Sequence, residues 1–104
     1  MDASVNREEA LLEEQIVALM REKRLTLTAA ESCTGGMLSS RMIDVAGVSD
    51  VYKAGFVTYA NEAKQKLIGV KEETLMKYGA VSEQTAREMV AGALRAAEAD
   101  MAVA

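Results

Sequence analysis

The sequence predicts a single α/β domain. Three observations predict it. Residues 25–30 form a short apolar, Thr-bearing run that leads straight into a glycine-closed turn. Residues 51–59 hold a second strand-like run, and the segments between and around the two carry helical periodicity. Strands alternating with helices are the pattern of a parallel sheet covered by helices. With 104 residues the chain fits one domain rather than two. A domain of this size buries about 60–65% of the surface its unfolded chain exposes.

The elements follow in order. Residues 8–24 read as an amphipathic helix, with Leu12, Ile16, Leu19 and Met20 at helical spacing. Glu8 and Glu9 fall in its first turn and Arg21, Lys23 and Arg24 in its last, as the helix dipole favours. The basic trio therefore reads as a helix C-terminus rather than a nucleic-acid patch. The strand of residues 25–30 runs into Ser32-Cys33-Thr34-Gly35-Gly36, and a helix follows from Gly35 or Gly36 to about Val45. Gly47, Ser49 and Asp50 mark a loop. After the second strand, Asn61 reads as the N-cap of a helix that Gly69 closes. A short helix is expected from Glu72 to Tyr78, ended by Gly79. Ser82 caps a long helix from Glu83 to about Glu98, with Ala86, Met89, Val90, Ala93, Leu94 and Ala97 as its apolar side. Asp100 leads into residues 101–104, the start of a third strand. No repeat or low-complexity stretch is visible, and the chain is read as one domain over 1–104.

Composition excludes several classes. Half the residues are hydrophobic and 27% charged, ordinary values for a soluble globular protein. Twelve Lys and Arg against sixteen Asp and Glu give a net charge of −4, which disfavours a general nucleic-acid binder. No apolar run approaches the roughly 18–20 residues of a membrane span. The polar start, Met1-Asp2-Ala3-Ser4, does not resemble a signal peptide. The one cysteine, Cys33, rules out an internal disulfide and suits a cytoplasmic setting. With no histidine, the common zinc sites and the histidine triads are excluded. Neither metal nor cofactor is expected.

The chemistry is expected in Glu31-Ser32-Cys33-Thr34-Gly35-Gly36. A strand, a tight turn and a helix N-terminus together converge backbone N–H groups and positive potential on one point. Ser32 there can attack a carbonyl while nearby N–H groups hold the oxyanion. The plainer reading, a serine or threonine that caps a helix before Gly-Gly, stays open. Without histidine an activated serine needs another base, and a lysine whose charged form is disfavoured can serve. Lys64 would fall at the third position of the Asn61-capped helix, where the dipole pushes its pKa down. An ordinary exposed lysine is the alternative. Tyr59 would either orient Lys64 or relay a proton, or else pack on the core. Cys33 is a rival nucleophile near the same helix terminus, or a small buried hydrophobe.

Leu27-Thr28-Ala29-Ala30-Glu31-Ser32-Cys33-Thr34-Gly35-Gly36 resembles the opening motif of the CinA C-terminal family, the nicotinamide-nucleotide amidases. The resemblance continues through residues 55–64, Leu67-Ile68-Gly69-Val70 and Gly79-Ala80-Val81-Ser82-Glu83, so that it covers about residues 11–104. It implies an α/β/α sandwich and hydrolysis of the carboxamide of nicotinamide mononucleotide to nicotinate mononucleotide and ammonia. It implies Ser32 as nucleophile, Lys64 as its base and Tyr59 assisting. Glu31, Thr34, Gly35 and Gly36 are the substrate-binding residues it implies, with no metal or cofactor. A small nucleotide is thus the expected partner, not nucleic acid or a membrane, and self-association is expected through an open sheet edge. This sequence has Ala46-Gly47 and Ala54-Gly55 where family members often have Pro-Gly and Gly-Gly. Family members also continue past the strand at Met101 into a Thr-Gly-x-Ala-Gly-Pro loop. The chain is therefore expected to be the N-terminal part of the family domain.

Overall fold

The computed structural model of the protein describes residues 11–104. Glu8 and Glu9, expected in the first helical turn, lie outside the described residues. The elements are α1 (Leu12–Lys23), β1 (Leu27–Glu31), α2 (Met37–Ile43), a 3-10 turn (Val48–Asp50), β2 (Tyr52–Val57), α3 (Asn61–Ile68), α4 (Glu72–Tyr78), α5 (Glu83–Ala97) and β3 (Met101–Val103). The three strands are parallel, in the order β2-β1-β3.

β1 is the centre of the sheet, and all five of its residues are buried. Its alternation divides the core in two. Leu27 and Ala29 meet Val17 and Met20 of α1, Met42 of α2, and Val45, Val48, Val51 and Tyr52. Ala30 meets Ile68, Val70, Leu75, Met89 and Ala93 from the α3–α5 side, with Phe56 packed against them. Helices thus cover both faces of a parallel sheet, which is the expected α/β/α layering.

The faces of the outer helices differ from the periodicity reading. In α1, Val17 and Met20 are buried and Ile16 partly so, while Leu12 and Leu19 are exposed. In α5 the buried residues are Thr85, Met89, Gly92 and Ala93. Ala86, Val90, Leu94 and Ala97 flank them, half-buried. Both shifts have one cause. A helix on a sheet buries the residues nearest the strands, and small residues are used where backbones come close. Gly92 is such a place, because a Cβ there would lie 1.7 Å from the carbonyl oxygen of Ile68, the last residue of α3. The basic end of α1 is tied down, as Arg21 donates two 2.9 Å bonds to Asp50 and one of 2.6 Å to the Gly47 carbonyl.

β2 carries one extra residue. Leu27 pairs with Tyr52, but Thr28 pairs with Ala54, leaving Lys53 as a bulge. The extra residue changes which face each later side chain takes. Tyr52 faces the α1–α2 layer, and so do Gly55 and Val57, opposite Ala29 and Glu31. Phe56, opposite Ala30, faces α5. In an unbroken strand Tyr52 and Phe56 would share a face.

Candidate active site

The turn after β1 is organised by Glu31. By the strand's alternation its side chain falls on the α2 side. There its carboxylate accepts the backbone N–H groups of Leu38 (2.8 Å) and Ser39 (3.0 Å) at the start of α2. The Thr34 hydroxyl (2.8 Å) and the Ser39 hydroxyl (2.9 Å) also donate to it. Glu31 is 4% exposed. Burial pushes its carboxyl up, but the Ser39 and Leu38 N–H groups and the two hydroxyls outweigh that and hold it down to about 2. The anion site read from the sequence therefore exists, and the chain fills it with its own carboxylate. Glu31 was expected among the substrate-binding residues. With its carboxylate committed to four donors, it stands beneath the site as a brace.

The linkage has a definite sign. The folded pKa lies below the ordinary value of 4.5, so the stabilisation is complete above that pH and is lost as pH falls toward about 2. The difference corresponds to something on the order of 3 kcal/mol. Glu31→Gln should lose most of this at neutral pH and flatten the acid limb of the stability curve between pH 4.5 and 2. Urea unfolding at a series of pH values reads both effects. An unchanged acid limb would remove Glu31 from this role.

Glycine is required where the chain enters α2, since Gly36 has φ of +107°, and Gly35 beside it has φ of +59°. Both lie in the turn assigned to substrate from the sequence. Gly35 N–H bonds the Ser32 carbonyl at 3.1 Å, which closes the turn around Ser32 and Cys33. Among the described residues, the N–H groups of Cys33 and Thr34 have no acceptor and remain as donors beside Ser32.

Lys64 reaches Ser32 from the other layer. Its Nζ lies 3.1 Å from Ser32 Oγ, 2.8 Å from the Thr58 carbonyl and 2.9 Å from the Tyr59 carbonyl. A helical side chain points back toward its own N-terminus, and this brings Nζ to the carbonyls just before α3. The cap of α3 is Ala60, not Asn61, which is the first helical residue. Lys64 thus sits one position further in than expected, where the dipole acts more weakly. Its pKa is lowered all the same, and the cause is burial, since the residue is 1% exposed. The alternative of an exposed lysine is therefore excluded. In the neutral amine the two carbonyls take the two protons, and the lone pair is left toward Ser32.

Tyr59 meets Lys64 through its carbonyl. Its side chain is 76% exposed, so the reading in which the ring packs on the core is corrected. The chain turns outward there to start α3. Cys33 is exposed, not a buried hydrophobe. Ser82 is the cap it was expected to be, accepting from Thr85 N–H at 3.1 Å. Among the described residues no group of three or more His, Cys, Asp and Glu side chains could hold a metal. No described helix is long and apolar enough to cross a membrane.

Beside the turn lies a cavity of about 460 Å³, lined by Ala30 to Thr34, Leu38, Ala80 to Ser82, Ala86, Met89, Val103 and Ala104. Its position follows from topology. The strand order reverses at β1, which has β2 on one side and β3 on the other, and the crossovers from β1 and from β2 run on opposite faces of the sheet. A crevice at such a point is the usual ligand site of an open parallel sheet. Its volume suits a small organic molecule.

Fold and site together define a layered α/β domain with a buried lysine set against a serine at the carboxyl edge of its sheet. The chain belongs to the CinA C-terminal domain family, whose profile matches residues 9–104. It is 55% identical over 93 residues to a CinA-like protein of Thermotoga neapolitana, covering 89% of this chain and 23% of that protein. It is 47% identical over 102 residues to a putative competence-damage inducible protein of Clostridioides difficile, covering 98% of this chain and 24% of that one. The chain thus spans about a quarter of the length of these curated relatives. Among solved structures it is similar to a competence damage-inducible protein A from Klebsiella pneumoniae, with TM-score 0.86 and 38% identity over 88% of this chain and 56% of that one. A CinA superfamily protein from Escherichia coli gives TM-score 0.85 and 35% identity over 97% and 64% of the two chains.

Proposed function

We propose that this domain carries the nucleophile and base of an amide hydrolase acting on the carboxamide of nicotinamide mononucleotide. One observation carries the reading. Lys64 Nζ, buried and lowered in pKa, is 3.1 Å from Ser32 Oγ. The resemblance of residues 27–36 and 55–64 to the nicotinamide-nucleotide amidases supplies the substrate.

In this mechanism Ser32 Oγ bonds to the carboxamide carbon as its proton passes to Lys64 Nζ. The Cys33 and Thr34 N–H groups receive the oxyanion. Collapse breaks the C–N bond, and Lys64 returns its proton to the leaving nitrogen, which departs as ammonia. Water then attacks the Ser32 ester, giving a proton to Lys64, and Lys64 passes it to Ser32 Oγ as the C–Oγ bond breaks and nicotinate mononucleotide leaves. The Thr58 and Tyr59 carbonyls hold the amine in line throughout. Gly35 and Gly36 let the backbone approach the substrate.

The test is ammonia release from nicotinamide mononucleotide by the purified chain, with Ser32→Ala and Cys33→Ala beside it. Turnover that Ser32→Ala abolishes and Cys33→Ala retains is the expected result. Equal turnover by the wild type and Ser32→Ala would overturn the assignment of the nucleophile.

A further inference from the structure

Beneath the Ser32 turn runs a chain of hydrogen bonds that the proposed chemistry does not use. The Ser39 hydroxyl donates to Glu31 at 2.9 Å, and Ser39 Oγ and Tyr52 Oη are 2.6 Å apart. A serine hydroxyl has a single proton. Since Ser39 gives its proton to Glu31, Tyr52 must be the donor to Ser39. The direction is therefore fixed as Tyr52 to Ser39 to Glu31. Tyr52 is 5% exposed, and burial pushes its phenol pKa up, so it stays a donor at working pH.

Two further facts place this chain at the turn. The same carboxylate that ends it accepts the Thr34 hydroxyl, so both ends of the Glu31–Thr34 loop are held by one group, with Ser32 and Cys33 between them. The room for it comes from Gly55. A Cβ there would meet Ser39 Oγ at 2.3 Å and Tyr52 Oη at 2.6 Å. The bulge at Lys53 is what puts Tyr52 and Gly55 on this face together.

We propose that Tyr52 and Ser39 are positioning residues for Ser32, fixing through Glu31 the turn that aims its Oγ at Lys64. The inference rests on the serine–lysine reading above. It assigns to β2 a part in the reactivity of a residue in the turn after β1. Removing the Tyr52 hydroxyl leaves the ring buried but takes away the donor that holds Ser39 Oγ, so the Ser39 hydroxyl is no longer fixed in its bond to Glu31. A loosened turn costs alignment, and misplacement of a reacting atom by about 1 Å costs on the order of a hundredfold in rate.

The experiment measures covalent labelling of Ser32 by an alkyl fluorophosphonate, followed by intact mass in a Cys33→Ala background. In that reaction the Oγ–P bond forms, the P–F bond breaks, fluoride leaves and the serine proton goes to Lys64. The readout needs no assumption about the natural substrate. Tyr52→Phe and Ser39→Ala should each lower the maximal labelling rate by about tenfold, with unchanged half-saturating probe concentration, and the double variant should be no slower than the slower single one. Labelling of both single variants at the wild-type rate would overturn the inference while leaving the serine–lysine reading intact. A loss of rate matched by an equal loss of probe affinity would also overturn it, since that marks general loosening. A wild-type chain that does not label at Ser32 would sink both readings.

Discussion

Lys64→Met should reduce ammonia release by about 10²- to 10⁴-fold, the usual contribution of a positioned general base. Methionine fills much of the same buried space and takes away only the amine. The loss should fall on kcat with little change in KM, because Lys64 contacts Ser32 and two carbonyls and does not line the cavity. It should also be no greater in the Ser32→Ala, Lys64→Met double variant than in Ser32→Ala alone, as the two act as one unit. The pH profile adds a sign. Only the neutral amine accepts the serine proton, so kcat/KM should rise with pH through an ionisation below the ordinary lysine value of 10.5. The unfolded chain holds this proton more tightly than the folded one, so stability also rises with pH across that interval. A variant that keeps turnover within tenfold of wild type, with the same pH profile, would remove Lys64 as the base.

Gly92→Ala is expected to be the most damaging single-methyl addition. The new Cβ would fall 1.7 Å from Ile68 O, 2.6 Å from Ile68 C and 3.0 Å from Ile68 Cβ. Backbone cannot step aside as a flexible side chain can, so α3 and α5 must separate. A cost of about 2–4 kcal/mol is expected, after a gain of up to about 1 kcal/mol from the better helix former. For a domain of this size that lowers Tm by about 10–20 °C. Ile68 is one turn beyond Lys64 on α3. The surviving folded protein should therefore also label and turn over more slowly, which separates this site from a remote packing defect. A Tm within 3 °C of wild type would show that the helices part freely.

What could be read from the sequence was what local chemistry decides. The Ser32–Gly36 turn needs only its glycines and the strand before it. α4 runs from Glu72 to Tyr78 as expected, and Ser82 caps α5, because caps and helix ends are set within a few residues. The lack of histidine and the place of Lys64 at the start of a helix point to it as the partner of Ser32, and the family resemblance agrees. What was missed depends on neighbours distant in sequence. Glu31 could not be read as the internal occupant of the helix terminus without knowing which way β1 faces. Tyr52 gave no signal, because the bulge that turns it toward Ser39 has no composition cue apart from Gly55. Helical spacing points Leu12 and Leu19 inward, yet the sheet buries Val17. Gly92 gives no signal within the apolar face of α5, because a missing side chain has no hydropathy.

The extra residue at Lys53 works on β2 like a half-turn on a screw. It leaves the strand's direction alone and exchanges its two sides for everything downstream. Length in this stretch is therefore counted in even and odd. Deleting Lys53 would leave Gly55 beside Ser39 and Phe56 in the α5 layer, because a strand without the extra residue alternates from Tyr52 to the same sides. Removing Ala54 as well would set Gly55 next to Tyr52 and exchange the two sides for everything after it. The loop of Gly47 to Asp50 lies ahead of the strand and has no such parity. Length there is held by Arg21 and by the packing of Val48, and a few residues later by a strict arithmetic.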